Sequence, residues 1–241
     1  MLYFEKNYEL RSSDFDCHNH MRASSVLDLF QDVAGLHATQ MGVGFFDLIA
    51  QKKLWVVVRL KYRMVGKPQR YHTVKVRTWP LPPTRVNLRR EYLIEDEEGQ
   101  PLILGTSDWV VIHSEKRRII SGKDLYPQDE EICTRQLFEG RNVRIPPFEA
   151  AQDGGTVRPG FSQLDMNGHV NNIKYADFVM DAVQLPKETD IQEFQMDFHR
   201  EILEGMPIQI RYENDGETVL AQGLSEEGEC MFSCRLKLVH D

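Results

Sequence analysis

The chain has 241 residues, of which 41% are hydrophobic and 27% charged, and its formal net charge is −8. This length allows one large domain or two of ordinary size, and the acidic balance argues against general nucleic-acid binding. The longest nearly uncharged apolar run, residues 54–58, is far too short for a membrane span. Because the amino terminus also lacks the basic start and apolar core of a signal peptide, we predict a cytoplasmic protein.

The first half of the chain is predicted to form one long helix followed by antiparallel strands. Residues 24–51 carry apolar side chains at helical spacing, which Gly42 and Gly44 are expected to interrupt. From Val56 the period changes to two, so that Val56, Val58 and Leu60 predict a strand with one apolar face. Further strands are predicted over residues 74–78, 86–94 and 102–113.

The second half repeats this order after a stretch rich in proline, glycine and charge. Ile173, Ala176 and Val179 form a helical stripe, and alternating strands follow it. These strands are predicted over residues 194–198, 208–212, 219–221 and 230–238. The resulting bounds are 1–128 for the N-terminal half, 129–155 for a linker and 156–241 for the C-terminal half. A long helix wrapped by an antiparallel sheet, twice in tandem, is the α+β pattern of a double hot-dog fold.

A polar motif precedes the second helix. Asp165, Asn167 and His169 alternate, and in extended chain they would lie on one side. Asn171 or Asn172 is the expected N-cap, which places the motif where backbone N–H groups are free and the helix dipole is positive. Such a place suits a carbonyl oxygen that becomes an oxyanion, and it favours a neutral imidazole. The alternative is a polar turn that merely caps the helix.

An altered copy of this motif lies earlier in the chain. At an offset of 149 (165 − 16), Asp16 matches Asp165 and His20 matches His169, but His18 replaces Asn167. We therefore predict that the second copy carries the chemistry. Glu201, which ends a later strand, offers a second carboxylate that could activate water. At an offset of 134 (208 − 74), the first half has Lys67 in its place; the alternative for Glu201 is an exposed charge at the end of a strand.

No metal or cofactor is predicted. Four cysteines are present, at 17, 133, 230 and 234, and none forms a CxxC pair. Reduced structural thiols are the expectation in a cytosolic context, since a zinc site needs more ligands at closer spacing.

Four stretches carry a family resemblance that covers nearly the whole chain. They are residues 54–59 (LWVVVR), 78–80 (TWP), 106–111 (TSDWVV) and 164–175 (LDMNGHVNNIKY). On these stretches the chain resembles the acyl-acyl carrier protein (acyl-ACP) thioesterases of bacteria and plant plastids. The resemblance implies a tandem hot-dog fold and an enzyme of fatty acid biosynthesis that hydrolyses a fatty acyl thioester on acyl carrier protein, which releases free fatty acid and ends chain elongation.

The same resemblance implies a catalytic group and one departure from it. The group consists of an aspartate, an asparagine and a histidine in the motif and a downstream glutamate, which are Asp165, Asn167, His169 and Glu201. Plant enzymes follow the glutamate with a cysteine once proposed as the nucleophile, whereas Ile202 stands there in this chain. We therefore expect water, activated by Glu201, or Glu201 itself to attack. Asn167 and a helix-terminal N–H would hold the carbonyl, His169 would transfer protons, and Asp165 would fix the geometry.

The first half is expected to house the acyl chain, and basic side chains are expected to receive the acidic carrier protein. The candidate acyl-lining residues, whose alternative is ordinary core, are Val33, Leu36, Met41, Phe45, Val56 and Val58. The candidate docking side chains, whose alternative is solvated strand faces, are Arg59, Lys61, Arg63, Lys75, Arg77, Arg85, Arg89, Arg90, Lys116, Arg117 and Arg118. Acyl-CoA hydrolysis and non-catalytic binding of acyl thioesters stay open as alternatives. Acyl chain length is not readable, and both a monomer and a homodimer are compatible with the sequence.

Overall fold

Each of two groups of residues contains a run of antiparallel strands and a long helix. The computed structural model describes residues 2–126 and 131–240. Unit 1 comprises Met1–Asp14 and Asp28–Asn142, and unit 2 comprises Phe15–Leu27 and Val143–Asp241. The predicted bound between residues 128 and 129 lies outside the described residues. None of the helices in the described ranges has the length and apolar character that a membrane crossing requires.

Unit 1 contains a twisted run of antiparallel strands in the order β1-β3-β4-β5-β2, with the short β6 paired to β5. Its strands are β1 (Phe4–Glu9), β2 (Lys53–Met64), β3 (Thr73–Pro80), β4 (Leu88–Glu95), β5 (Pro101–His113) and β6 (Ile119–Ile120). Its helices are α1 (Ala23–Gln40), whose first turn belongs to unit 2, and the short α2 (Phe45–Ile49). As predicted, the helical pattern is interrupted around Gly42 and Gly44.

Helix α1 packs on the unit 1 sheet through close aromatic contact. Phe30 stacks on Tyr92 with ring centroids 4.3 Å apart. Gly105 lies beneath the Phe30 ring, so that a side chain at Gly105 would collide with it. Two turns further along, the buried His37 accepts a hydrogen bond at Nδ1 from Arg90 (2.9 Å). Burial and the charge of Arg90 lower the pKa of His37 to about 3, so that this histidine is neutral at pH 7.

Strand β2 differs from its predicted alternation. Val57 lies opposite Trp109 and Arg59 opposite Asp108, which leaves Val58 as an extra residue in a β-bulge. The bulge changes which side chains of the strand face the core. Val57 is therefore buried, while Val56 and Val58 are only partly buried. The prediction of an apolar face at Val56 and Val58 is therefore wrong, because it assumed uninterrupted pairing.

Unit 2 repeats the arrangement around helix α3 (Asn172–Val183). Its strands, in the order β8-β11-β10-β9-β7, are β7 (Gln152–Val157), β8 (Thr189–Phe198), β9 (Ile208–Asn214), β10 (Thr218–Leu224) and β11 (Cys230–His240). The ring of Tyr175 on α3 meets Phe198 and Phe232 edge-on, with centroids 5.3 and 5.2 Å away. Gly223 lies against the Phe232 ring and leaves no room there for a side chain.

Strand β7 forms where the sequence predicts the end of a linker. It pairs with β9, and its irregularity between Asp153 and Thr156 accommodates Gly154 and Gly155. Gly155 has φ +84°, a conformation that favours glycine. A Cβ at Gly154 would press on Ala182, which explains a glycine at that close approach. The two glycines that indicate a loop therefore serve a bulged strand at the end of the sheet.

Polar side chains of the strands bind backbone groups of residues 137–145, which precede β7. In unit 1, Glu91 accepts a hydrogen bond from the Leu137 N–H (2.7 Å), and Arg89 donates to the carbonyl of Phe138 (2.7 Å). In unit 2, Asp197 accepts from the Ile145 N–H (2.8 Å). Residues 137–145 lie outside helices and strands, and these side chains supply hydrogen-bond partners for their backbone groups.

Candidate active site

The motif at residues 165–169 forms a tight turn, not the extended segment that its alternating polar residues predict. Leu164 and Val170 pair across its base. Within the turn the Asp165 N–H donates to the His169 carbonyl (2.7 Å), and the Gly168 N–H donates to the Asp165 carbonyl (3.0 Å). Gly168 has φ +78°, which the reversal of the chain requires. The polar side chains are therefore gathered by a turn and not by strand periodicity.

The carboxylate of Asp165 holds this turn from inside. Its Oδ1 accepts the backbone N–H of Asn167 (2.8 Å) and that of His169 (3.2 Å). Its Oδ2 accepts one hydrogen of the Asn167 side-chain amide (3.2 Å). Asp165 thus orients the amide of Asn167 and the backbone of His169, which is the geometry that a fixing role demands.

The turn leads directly into helix α3. Asn171 is the N-cap, with φ −60° and ψ 132°, and its side-chain oxygen accepts the Ile173 N–H (3.1 Å). Of the two predicted caps, Asn171 is therefore the one used, and Asn172 begins the helix. The turn residues consequently stand at the positive end of the α3 dipole.

Glu201 reaches His169 through backbone pairing of two short segments. The Val170 N–H donates to the Ile202 carbonyl (2.8 Å), and His169 and Leu203 form an antiparallel bridge. As a result His169 Nε2 lies 3.4 Å from Glu201 Oε2. The two side chains are 26% and 39% exposed, which leaves both accessible to a ligand. Glu201 is thus an exposed charge after a strand, which was the alternative to a role in the site. It is also the partner of His169.

Tyr175 belongs to this site although sequence reasoning left it without a role. Its side chain is buried on the first turn of α3, and its ring packs edge-on against Phe198 and Phe232. Burial raises the pKa of the Tyr175 phenol, and the nearby charges of Glu201 and Asp165 raise it further. The sequence signal that could have pointed to Tyr175 is the repeat, because Val26 occupies the corresponding place in the first copy (26 + 149 = 175).

The four cysteines differ in their burial. Cys17 is exposed, Cys133 and Cys230 are half-buried and Cys234 is buried, and all four are free. Burial raises the pKa of the Cys234 thiol. Within residues 2–126 and 131–240, no group of three or more His, Cys, Asp or Glu side chains has an arrangement that could hold a metal ion. The Ile202 side chain is completely buried.

The first copy forms the same turn. The Asp16 N–H donates to the His20 carbonyl (2.9 Å), and Asp16 Oδ1 accepts the N–H groups of His18 and His20, both at 2.9 Å. Asn19 takes the place of Gly168 and adopts φ 67°. In the described part of the chain, neither His18 nor His20 has an ion-pairing carboxylate like that of His169.

A cavity of about 780 Å³ in unit 2 lies beside this first turn, between it and residues such as Asp177 and Asp181 on α3. Pocket volume by itself would therefore favour the first copy as the functional site. The arrangement of reactive groups favours the second copy instead, because a histidine beside a carboxylate at a helix terminus can move protons.

The six candidate acyl-lining residues have different environments. Val33 is completely buried, whereas Leu36 is 38% exposed. Met41 packs against a buried cluster that includes Ala38 and Leu48. The cavity beside the first turn is lined by none of the six. Phe45, Val56 and Val58 are partly buried, so that an acyl-holding role for this set stays a prediction.

Several of the candidate docking cations are engaged inside unit 1. Arg59 pairs with Asp108 (3.3 Å), Arg77 with Glu5 (2.9 Å), and Arg89 with the buried Glu91 (2.7 Å). Arg90 is itself buried. The turn at Lys116, Arg117 and Arg118 is exposed.

Two solved structures share this fold over almost their whole length. An acyl-ACP thioesterase from Bacteroides thetaiotaomicron superposes with a TM-score of 0.83 at 19% identity, covering 98% of each chain. The 12:0-ACP thioesterase from Umbellularia californica superposes with a TM-score of 0.84 at 20% identity, covering 100% of this chain and 98% of that one. The α+β tandem hot-dog prediction is confirmed.

Sequence comparison identifies the family. The acyl-ACP thioesterase N-terminal domain matches residues 1–126, and the acyl-ACP thioesterase C-terminal domain matches residues 150–241. The chain therefore belongs to the acyl-ACP thioesterase family, as its motifs predict.

Relatives in plants are longer than this chain. Oleoyl-acyl carrier protein thioesterase 1, chloroplastic, of Arabidopsis thaliana is 24% identical over 219 residues, which are 83% of this chain and 60% of the relative. Palmitoyl-acyl carrier protein thioesterase, chloroplastic, of Cuphea hookeriana is 25% identical over 206 residues, which are 80% of this chain and 49% of the relative. The chain thus spans between half and three-fifths of the length of these relatives.

Proposed function

We propose that this protein hydrolyses the thioester bond of fatty acyl-ACP and releases the free fatty acid. The observation that carries the proposal is the pair of His169 Nε2 and Glu201 Oε2, 3.4 Å apart beside the amino terminus of α3. This distance is slightly long for a hydrogen bond, as is common for catalytic pairs without substrate. Family membership supports the reaction class, and the relatives named above act on acyl carrier protein thioesters.

The thioester carbonyl would be held chiefly by Asn167. One hydrogen of its side-chain amide is bonded to Asp165, which leaves the second hydrogen to face a substrate oxygen. The Val170 N–H already donates to the Ile202 carbonyl, and the Ile173 N–H already donates to the side chain of the N-cap Asn171. Asn167, fixed by Asp165, is therefore our principal donor to the oxyanion, a type of contact worth about 10²–10³-fold in rate.

Glu201 and His169 would divide the proton transfers. In the water route, Glu201 takes a proton from water, the water oxygen attacks the carbonyl carbon, and the carbon–sulfur bond breaks. His169 then passes the proton taken up by Glu201 to the departing thiolate, which restores the Glu201 carboxylate. In the direct route, a Glu201 oxygen attacks the carbonyl carbon, the carbon–sulfur bond breaks to leave an anhydride, and water hydrolyses the anhydride. Single-turnover hydrolysis in ¹⁸O-water tests the direct route, because attack of water on the Glu201 carbonyl of the anhydride places label in the Glu201 carboxylate, whereas the water route leaves Glu201 unlabelled.

The decisive experiment measures free fatty acid released from acyl-ACPs of graded chain length and from the matching acyl-CoAs. We expect turnover on the carrier-protein series to exceed that on the CoA series. Faster CoA hydrolysis would favour the acyl-CoA thioesterase alternative. Tight binding of both series without release of fatty acid would favour a non-catalytic acyl-binding protein and would overturn the proposal.

The carrier protein would dock through exposed basic side chains, with the turn at residues 116–118 as the first candidate. Exposed ion pairs are screened by salt, so the KM for acyl-ACP should rise with ionic strength while the KM for a short neutral thioester stays level. A homodimer and a cytoplasmic location stay predictions, to be checked by analytical ultracentrifugation and by cell fractionation.

A further inference from the structure

Three large apolar side chains close in the chain to the His169–Glu201 pair are exposed. Phe161 lies on the 3₁₀ turn before the motif, Met166 lies within the motif, and Leu203 follows Glu201 by two residues. Their exposed fractions are 81%, 70% and 53%. Apolar side chains exposed singly are ordinary, whereas a group of them beside polar residues is typical of a binding surface.

Backbone pairing places Leu203 beside the histidine of the site. His169 and Leu203 form an antiparallel bridge, in which opposite side chains lie on the same face of the pair. The N–H of Val170 continues the pairing by donating to the Ile202 carbonyl (2.8 Å). Glu201 reaches the same histidine, with Oε2 3.4 Å from Nε2. An exposed leucine therefore flanks the residue to which we assign protonation of the departing thiolate.

Backbone hydrogen bonds also join the segment of Phe161 to the motif. The Leu164 N–H donates to the Phe161 carbonyl (3.2 Å), and the Asn171 N–H donates to the Gln163 carbonyl (2.9 Å). Met166 lies within the turn itself. The three exposed apolar residues therefore belong to one connected part of unit 2.

An exposed cation is attached to the same part of unit 2. Arg158 donates a hydrogen bond to the Gly205 carbonyl (3.4 Å), and the Gly205 N–H donates to the Pro159 carbonyl (2.7 Å). Gly205 follows Leu203 by two residues. Among the described residues, no carboxylate forms an ion pair with Arg158. Its charge is therefore available to an anionic group of a ligand.

The first copy of the repeat has different residues at all four places. Three of the matches have an offset of 149 (158 − 9; 161 − 12; 166 − 17), and the fourth has the offset of 134 that relates Lys67 to Glu201 (203 − 69). The first-copy residues that match Arg158, Phe161, Met166 and Leu203 are Glu9, Ser12, Cys17 and Gln69, and all of them are exposed. Because both turns fold, the turn itself does not require the apolar side chains or the cation.

We propose that Arg158, Phe161, Met166 and Leu203 bind the phosphopantetheine arm of the acyl thioester. The inference rests on the proposed function. The arm is a chain of methylene and amide groups between the thioester sulfur and a phosphate, so that apolar side chains match its length and a guanidinium matches its anionic end. Leu203 takes the sulfur end because it lies beside His169. An exposed surface suits this arm better than the fatty acyl chain, which gains most from complete burial.

The test measures hydrolysis of three thioesters with the same acyl group. Acyl-ACP and acyl-CoA carry the whole arm, whereas acyl-N-acetylcysteamine keeps only the end next to the sulfur and has no phosphate. Leu203→Ala should raise KM about 10-fold for all three with little change in kcat, because ground state and transition state lose the same apolar contact. Arg158→Gln should raise KM about 3-fold for acyl-ACP and acyl-CoA, and leave KM for acyl-N-acetylcysteamine unchanged.

Three kinetic outcomes would overturn the inference. An unchanged KM in Leu203→Ala would remove the apolar contact, and a rise confined to acyl-ACP would show that Leu203 meets the carrier protein itself. An equal rise for all three substrates in Arg158→Gln would remove the assigned phosphate contact. Leu203→Met, which keeps a large apolar side chain, should have a KM near that of the wild type. Val65→Ala is the matched control, since Val65 is an exposed apolar residue of unit 1 and its loss should leave KM unchanged.

Methyl NMR gives a readout that does not depend on turnover. Wild-type protein is titrated with a thioether analogue of acyl-N-acetylcysteamine, which cannot be hydrolysed. The Leu203 methyl resonances should shift, and those of Val65 should not. The absence of a shift at Leu203 would overturn the inference. A shift at Leu203 in a protein that releases no fatty acid from any thioester would instead refute the proposed function and leave arm binding in place.

Discussion

The turn at residues 164–170 and the turn at residues 15–21 have the same backbone and different side chains. In both, an aspartate accepts the N–H groups of the residues two and four positions later. In both, a residue with positive φ completes the reversal. The comparison teaches that the aspartate and the reversal are common to both turns, whereas Asn167 and Glu201 belong to the second site alone and are the residues for which we propose a role in chemistry.

The correspondence extends to the surrounding elements. A short 3₁₀ turn precedes each motif, at Ser12–Asp14 and Phe161–Gln163, and each long helix starts after it, at Ala23 and Asn172. The starting residues are all 149 positions apart (161 − 12; 172 − 23). Retention of Asp16 in the first copy is thus explained by folding, and no catalytic role is needed to account for it.

The largest difference in turnover between the two turns should appear when their histidines are replaced. His169→Ala and Glu201→Ala should each lower turnover on acyl-ACP at least ~10²-fold, the lower end of a general acid–base contribution. His20→Ala, at the matching position of the first turn, should leave turnover near that of the wild type. The measurement is steady-state release of fatty acid with melting temperatures alongside. Equal losses at His169 and His20, or near-wild-type turnover in both Ala variants of the second site, would contradict the assignment.

Substitution of the two aspartates should distinguish an effect on the free energy of unfolding from an effect on turnover. Asp165→Ala and Asp16→Ala each remove an acceptor of two backbone N–H groups, so both should lower the free energy of unfolding by about 1–3 kcal/mol. Asp165→Ala alone should also lower turnover, because Asn167 loses the partner that orients its amide. Denaturant unfolding and the fatty-acid assay provide the two readouts. A similar drop in turnover for Asp16→Ala would show that the first turn also takes part in the reaction.

The smallest effects should come from the residues with positive φ. Gly168→Asn should be close to neutral, because Asn19 adopts this conformation in the first turn and the space around Gly168 is open. Gly168→Val should cost about 1–2 kcal/mol, the penalty of the left-handed region for a β-branched side chain. Asn19→Gly and Asn19→Val complete the set, and thermal unfolding measures all four. A large loss in Gly168→Asn would mean that the two turns are not interchangeable.

Local patterns account for much of what could be predicted. Helical spacing located α1 and α3, and Gly42 and Gly44 marked the break before α2. The repeat located both turns and singled out the second. Two local interpretations were wrong, at Val56 and Val58 in β2 and in the extended form of residues 165–169. In each case hydrogen bonds to other residues overrode the simple alternation of side chains.

The sequence alone predicted the tandem fold from periodicity, turn residues and an internal repeat, which are local signals. The resemblance of its motifs to the acyl-ACP thioesterases supplied the family and the full group of Asp165, Asn167, His169 and Glu201 as candidates. The approach of Glu201 to His169, the Val58 bulge and the packing of Tyr175 against Phe198 and Phe232 came only with the folded chain. Each of these joins residues far apart in sequence, and their positions depend on strand register and aromatic packing that no local pattern specifies. The different roles that we propose for the two turns follow from the local sequence signals and the tertiary contacts together.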